Sequence, residues 1–64
     1  MQIYVKIGTM PAQYYHLFRR RKTPSVGDHI QVKKENKSYI KPESILIDGL
    51  KRIHGETLFL AARM

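Results

Sequence analysis

The chain has 64 residues, no cysteine and a formal net charge of +7, from twelve Lys and Arg against five Asp and Glu. A chain this short buries only ~60% of the surface it exposes when unfolded, so one domain spanning 1–64 with one thin core is expected; without cysteine, a disulfide framework and a thiolate-rich zinc site are excluded. No apolar run approaches the ~20 residues of a bilayer-spanning helix and the N-terminus has no secretory pattern, so a soluble, cytoplasmic protein that does not enter membranes is expected.

Residues 2–7 alternate, with Ile3, Val5 and Ile7 on one face and Gln2, Tyr4 and Lys6 on the other, the pattern of a half-buried strand. Gly8-Thr9-Met10-Pro11 breaks it. The stretch from Ala12 to Lys22 fits two structures. One is a short helix near residues 12–21, with Pro11 at its first turn, Tyr14, Leu17 and Phe18 at helical spacing, and cations at its C-terminus. The other is a strand returning beside the first, which the β propensity of Tyr14, Tyr15 and Phe18 favours. We prefer the strand.

Thr23-Pro24-Ser25-Val26-Gly27-Asp28 turns the chain sharply, because Pro24 presets one dihedral and Gly27 accepts a positive φ. Ile30 and Val32 then alternate with His29, Gln31 and Lys33 as a strand. A hairpin is expected through Glu35-Asn36-Lys37 into Ser38–Lys41, in one of two registers. A three-residue loop pairs Val32 with Ile40, Lys33 with Tyr39 and Gln31 with Lys41; a two-residue loop at 35 and 36 pairs Val32 with Tyr39 and draws the tyrosine inward. We prefer the first, which keeps the charges in water. Ile45-Leu46-Ile47 is a short buried run ended by Asp48-Gly49, the pair that suits a two-residue type I′ turn. Leu50–Ile53 would return, His54-Gly55 offers a second tight turn, and Thr57–Ala62 closes the chain as an apolar strand.

Five to seven short strands at close intervals predict an all-β meander curled into a small SH3-like, or incomplete OB-like, barrel. The phrase Val26-Gly27-Asp28-x-Ile30-x-Val32 resembles, over seven residues, the loop-to-strand entry of SH3-like and KOW-type modules of translation and transcription proteins. A KOW module carries a further glycine soon afterwards, where this chain has Lys34-Glu35-Asn36-Lys37, and no family is assigned on that basis.

The charge is concentrated. Arg19, Arg20, Arg21 and Lys22 contribute four cations, Asp28 removes one, and residues 33–41 add four less Glu35, which leaves +6 of the +7 within 19–41. A field confined to one third of a small domain attracts polyanions, of which nucleic acid is the commonest. The expected function is therefore binding of DNA or RNA, without strong sequence preference, through Arg19, Arg20, Arg21, Lys22, Lys33, Lys37 and Lys41. On a strand through 37–41, Lys37, Tyr39 and Lys41 share a face, so that bases stack on the tyrosine and phosphates meet the lysines. Lys51 and Arg52 either extend this surface or guard a hairpin edge.

Catalysis is not expected. His16, His29 and His54 stand on separate elements, Asp28 and His29 point to opposite faces of a strand, and neither a phosphate-binding glycine motif nor a two-His metal spacing occurs. No cofactor is implied. The alternative is a protein-interaction module or inhibitor, for example a phage- or plasmid-borne accessory protein acting on a host enzyme. Tyr4, Tyr14, Tyr15 and Phe18 supply more aromatic area than so small a core readily hides, although at least two are expected inside. A homodimer through the apolar C-terminal strand would bury the excess.

Overall fold

The structure, a computed structural model, describes residues 1–34 and 41–64. Five strands form a closed ring in chain order: β1 (Gln2–Ile7), β2 (Gln13–Leu17), β3 (His29–Lys34), β4 (Glu43–Ile53) and β5 (Glu56–Arg63). Each consecutive pair is antiparallel, and β1 closes the ring against β5 in parallel. The parallel seam follows from counting: in an up-and-down meander with an odd number of strands, the first and last point the same way.

The described residues contain no helix, and none could cross a membrane as one. The ambiguous segment after Pro11 is a strand because alternation sends Tyr15 and Leu17 inward while Tyr14 and His16 stay exposed. Helical spacing would have placed Tyr14, Leu17 and Phe18 on one face, leaving Ile3 without its cross-strand neighbour Tyr15.

The inward residues are the alternating branched ones: Ile3, Val5 and Ile7 from β1, Ile30 and Val32 from β3, Ile45 and Ile47 from β4, with Phe59 and Ala61 from β5. Val5, Val32, Ile45 and Ile47 are fully enclosed, each gaining ~1.5–3 kcal/mol over exposure. Such terms must offset a backbone entropy cost of about 1–2 kcal/mol per ordered residue, so a core this small has little in reserve. Of the four aromatic residues in question, Tyr15 is buried, Tyr4 and Phe18 are half-buried, and Tyr14 is exposed.

Three sequence expectations are corrected. Asp48-Gly49 does not turn the chain: β4 runs on through it, and the register shifts there from Ile47↔Ala61 to Gly49↔Leu60, which makes Asp48 the extra residue of a β-bulge. The turn is made instead by His54 and Gly55, at φ 51° and 79°, the two positive dihedrals a type I′ hairpin needs. A bulge adds bend and twist, which a long strand needs in order to pair with β3 near its start and follow β5 along its whole length. Gly49 also sits close to its partner, since a Cβ there would lie 3.2 Å from Leu60 Cδ1.

The partner of β3 is the second correction. Gln31 pairs with Ser44 and Val32 with Glu43, so Lys41 is not the neighbour of Gln31; it is exposed ahead of β4. This register sets Ile30 opposite Ile45 and buries both Ile45 and Ile47, more apolar surface than Ile40 alone could supply. Lys37 and Tyr39, with the hairpin proposed for them, lie outside the described residues. Thirdly, β5 is no open edge for a homodimer, because β4 and β1 flank it on its two sides.

Candidate nucleic-acid interface

The loop between β2 and β3 is built around Asp28. Its Oδ2 accepts hydrogen bonds from the Ser25 backbone N–H at 2.9 Å and from the Arg20 guanidinium at 2.7 Å. These donors hold the carboxyl below its ordinary value, the Ser25 bond contributing most. Pro24 is buried beneath the loop, Gly27 takes φ 96°, and Gly27 and Asp28 bond to both backbone groups of Ile47 at 2.7 and 3.0 Å. Pro24, Gly27 and Asp28 therefore shape the chain. Arg20 shares in that work: it is half-buried against Asp28 and also donates through Nε to the Lys22 carbonyl at 3.3 Å.

Arg19 is placed differently. β2 continues one residue past its end, with the Phe18 N–H donating to the Gln31 carbonyl at 2.8 Å, and the chain then leaves the sheet through Arg19 at φ 54°. A non-glycine residue there stores about 1–2 kcal/mol of strain. The Arg19 guanidinium carbon lies 5.0 Å from the centre of the Phe18 ring, and the Lys33 Nζ, arriving from β3, lies 5.1 Å from the same centre. Two cations separated by fourteen positions in the chain thus share one aromatic ring, an arrangement worth ~0.5–1 kcal/mol per cation at an exposed site.

Arg21 and Lys22 are exposed beyond Arg19, Lys34 is exposed at the end of β3, and Lys41 is exposed ahead of β4. Of these cations, Arg19 and Lys33 are the two that meet the Phe18 ring. The sequence offered Phe18 only as one of the aromatics of a protein-binding surface, and not as the residue that both cations meet. Its signal was present: with β2 read as a strand, Tyr14, His16 and Phe18 fall at alternate positions on the outer face, and Lys33 pairs with His16.

The same outer face carries a second aromatic group. Tyr4 pairs with Tyr14 across β1 and β2, their rings 4.7 Å apart and tilted by 34°, and the Tyr14 hydroxyl donates to Glu56 Oε1 at 2.5 Å. That bond to an acceptor carboxylate raises the Tyr14 phenol above its ordinary pKa, with lesser contributions from burial and from the Glu56 charge. Tyr15, facing inward, is raised chiefly by burial and then by Glu43.

At one end of the barrel Arg63 Nε approaches Glu43 Oε2 at 2.6 Å, and its NH2 group reaches the Met10 sulfur at 3.1 Å. A neighbouring open groove of about 290 Å³ is lined by Ile7, Gly8, Thr9, Met10, Ala62 and Arg63, which include no acid and no histidine. His16 lies on β2, His29 on β3 and His54 in the last turn, and the described residues hold no group of three His, Asp or Glu placed to bind a metal. Comparison of the chain with known protein families, with curated proteins and with solved structures finds no match in any of the three.

Proposed function

We propose that the protein binds nucleic acid through the basic surface centred on Phe18. The observation that carries this reading is the convergence of Arg19 and Lys33 on one ring, with Arg19 in a strained conformation that glycine or asparagine would adopt more easily. Backbone geometry alone gives no reason for arginine there, whereas a cation facing a polyanion does. Phosphate contacts come from Arg19, Arg21, Lys22, Lys33 and Lys41, while Arg20 braces the loop through Asp28. Contacts of this kind recognise the backbone, so the binding carries little sequence preference.

With five phosphates neutralised, affinity for a mixed-sequence oligonucleotide falls by roughly two to three orders of magnitude between about 50 and 200 mM salt. Absence of binding at the lower salt would end the proposal. The variant Arg19→Asn separates function from stability: asparagine relieves the positive-φ strain as it gives up the cation–π contact, leaving Tm within a few degrees, while the slope of log affinity against log salt becomes shallower by ~0.7–0.9.

A second reading, a protein-binding module, draws on the far end of the β4–β5 hairpin. Leu50 is 49% and Ile53 41% exposed there, and Val26 is exposed beside Gly27, which bonds to β4 at Ile47. Retention of a stoichiometric protein from nuclease-treated lysate, lost on Leu50→Ser, would favour it.

A further inference from the structure

We propose that the outer face of β1, β2 and β3 selects single-stranded over double-stranded nucleic acid, with Tyr14 as its stacking residue and Arg19 and Lys33 as its phosphate end. This rests on the nucleic-acid reading above and assigns it a substrate class.

Tyr14, His16 and Phe18 follow one another at alternate positions along the outer face of β2. Alternate residues on a strand are about 6.8 Å apart, twice the ~3.4 Å between successive nucleotides of a duplex strand. A stacked duplex cannot open its bases to side chains at that interval, whereas a single strand extends to meet them. Bases in a duplex also hide their faces from an aromatic ring, and a protein that stacks on them needs them already unpaired.

The row has distinct ends. At one, Tyr14 is 45% exposed and leans against Tyr4, which fixes its ring and leaves area for a base. At the other, Phe18 is occupied by Arg19 and Lys33, so that end presents positive charge. His16 lies between, paired in register with Gln2 on one side and Lys33 on the other. Tyr14 and Phe18 are about 13–14 Å apart by strand rise, a footprint of two to three extended nucleotides, with a base on the tyrosine and a phosphate at the cations. Glu56, on β5, accepts the Tyr14 hydroxyl bond at the tyrosine end of the row.

The test measures binding of labelled oligo-dT, oligo-rU and a mixed-sequence duplex of equal length at one low salt concentration, with wild type, Tyr14→Leu and Tyr14→Phe. Single strands should bind about tenfold or more tightly than the duplex, the two sugars being compared directly. Tyr14→Leu should lose about tenfold for single strands and leave duplex affinity unchanged; Tyr14→Phe, which keeps the ring and loses the Glu56 bond, should match wild type. Equal affinity of wild type for duplex and single strand would overturn the stacking face while leaving the basic-surface reading intact. That comparison needs no variant to fold. No binding of any of the three oligonucleotides would overturn both.

Discussion

Two arginines in this barrel stand a few residues from a tight turn and do different work. Arg52, near the tip of the β4–β5 hairpin, donates to Thr57 Oγ1 at 3.2 Å and to the Gly55 carbonyl at 3.3 Å, so its guanidinium closes the turn that carries it. Arg19, leaving β2, lies over Phe18, a ring that a lysine from another strand also meets, and holds a backbone conformation unfavourable to it. Formal charge is the same at both. What separates them is what each guanidinium touches: Arg52 satisfies its own hairpin, while Arg19 joins a cationic cluster that the sheet assembles from two segments.

Neutralising the two regions in turn gives the largest contrast. The triple variant Arg19→Gln, Arg21→Gln, Lys33→Gln should weaken nucleic-acid binding by roughly a hundredfold near physiological salt, and Lys51→Gln with Arg52→Gln by no more than a few-fold, as measured by anisotropy titration. Equal losses from both would show that net charge alone governs binding and would break the contrast.

Asp28→Asn should move stability and binding in opposite directions. It removes the ion pair that holds Arg20, lowering Tm, and frees a cation beside Arg19, which should raise affinity several-fold and steepen the salt slope by up to about one. The folded-state pKa of Asp28 is depressed, so its stabilising contribution is complete above the unfolded carboxylate pKa and is lost as pH falls through the lower folded value. Wild type and Asp28→Asn should therefore differ in Tm at neutral pH and converge under acid, and a difference that persists undiminished there would contradict this account.

The smallest effect belongs to the hairpin. Arg52→Ala removes two exposed hydrogen bonds and should cost about 0.5–1 kcal/mol in urea unfolding, with nucleic-acid affinity within about twofold of wild type. A larger loss of affinity than of stability would move Arg52 into the binding surface.

Much of the barrel was legible from alternation. Ile3, Val5 and Ile7, then Ile30 and Val32, mark inward faces because strand side chains alternate with period two, and those faces are buried as expected. Asp48-Gly49 misled because local turn chemistry describes a dipeptide, while the choice between turn and bulge depends on whether the strand still has a partner beyond it. His54-Gly55, the weaker signal in sequence, became the turn. The register of β3 shows the same limit, since alternation gives each strand a face but no partner, and Gln31 found Ser44.

Composition and alternation by themselves determined the fold class, a small all-β barrel with its charge gathered between residues 19 and 41. They also marked Pro24, Gly27 and Asp28 as residues that bend the chain. Only the tertiary structure decided which cations meet. Arg20 turned inward to Asp28, Arg19 and Lys33 came together on Phe18, and Tyr14 settled against Tyr4, because strand pairing joins residues far apart in the chain and a one-dimensional pattern carries no record of those neighbours.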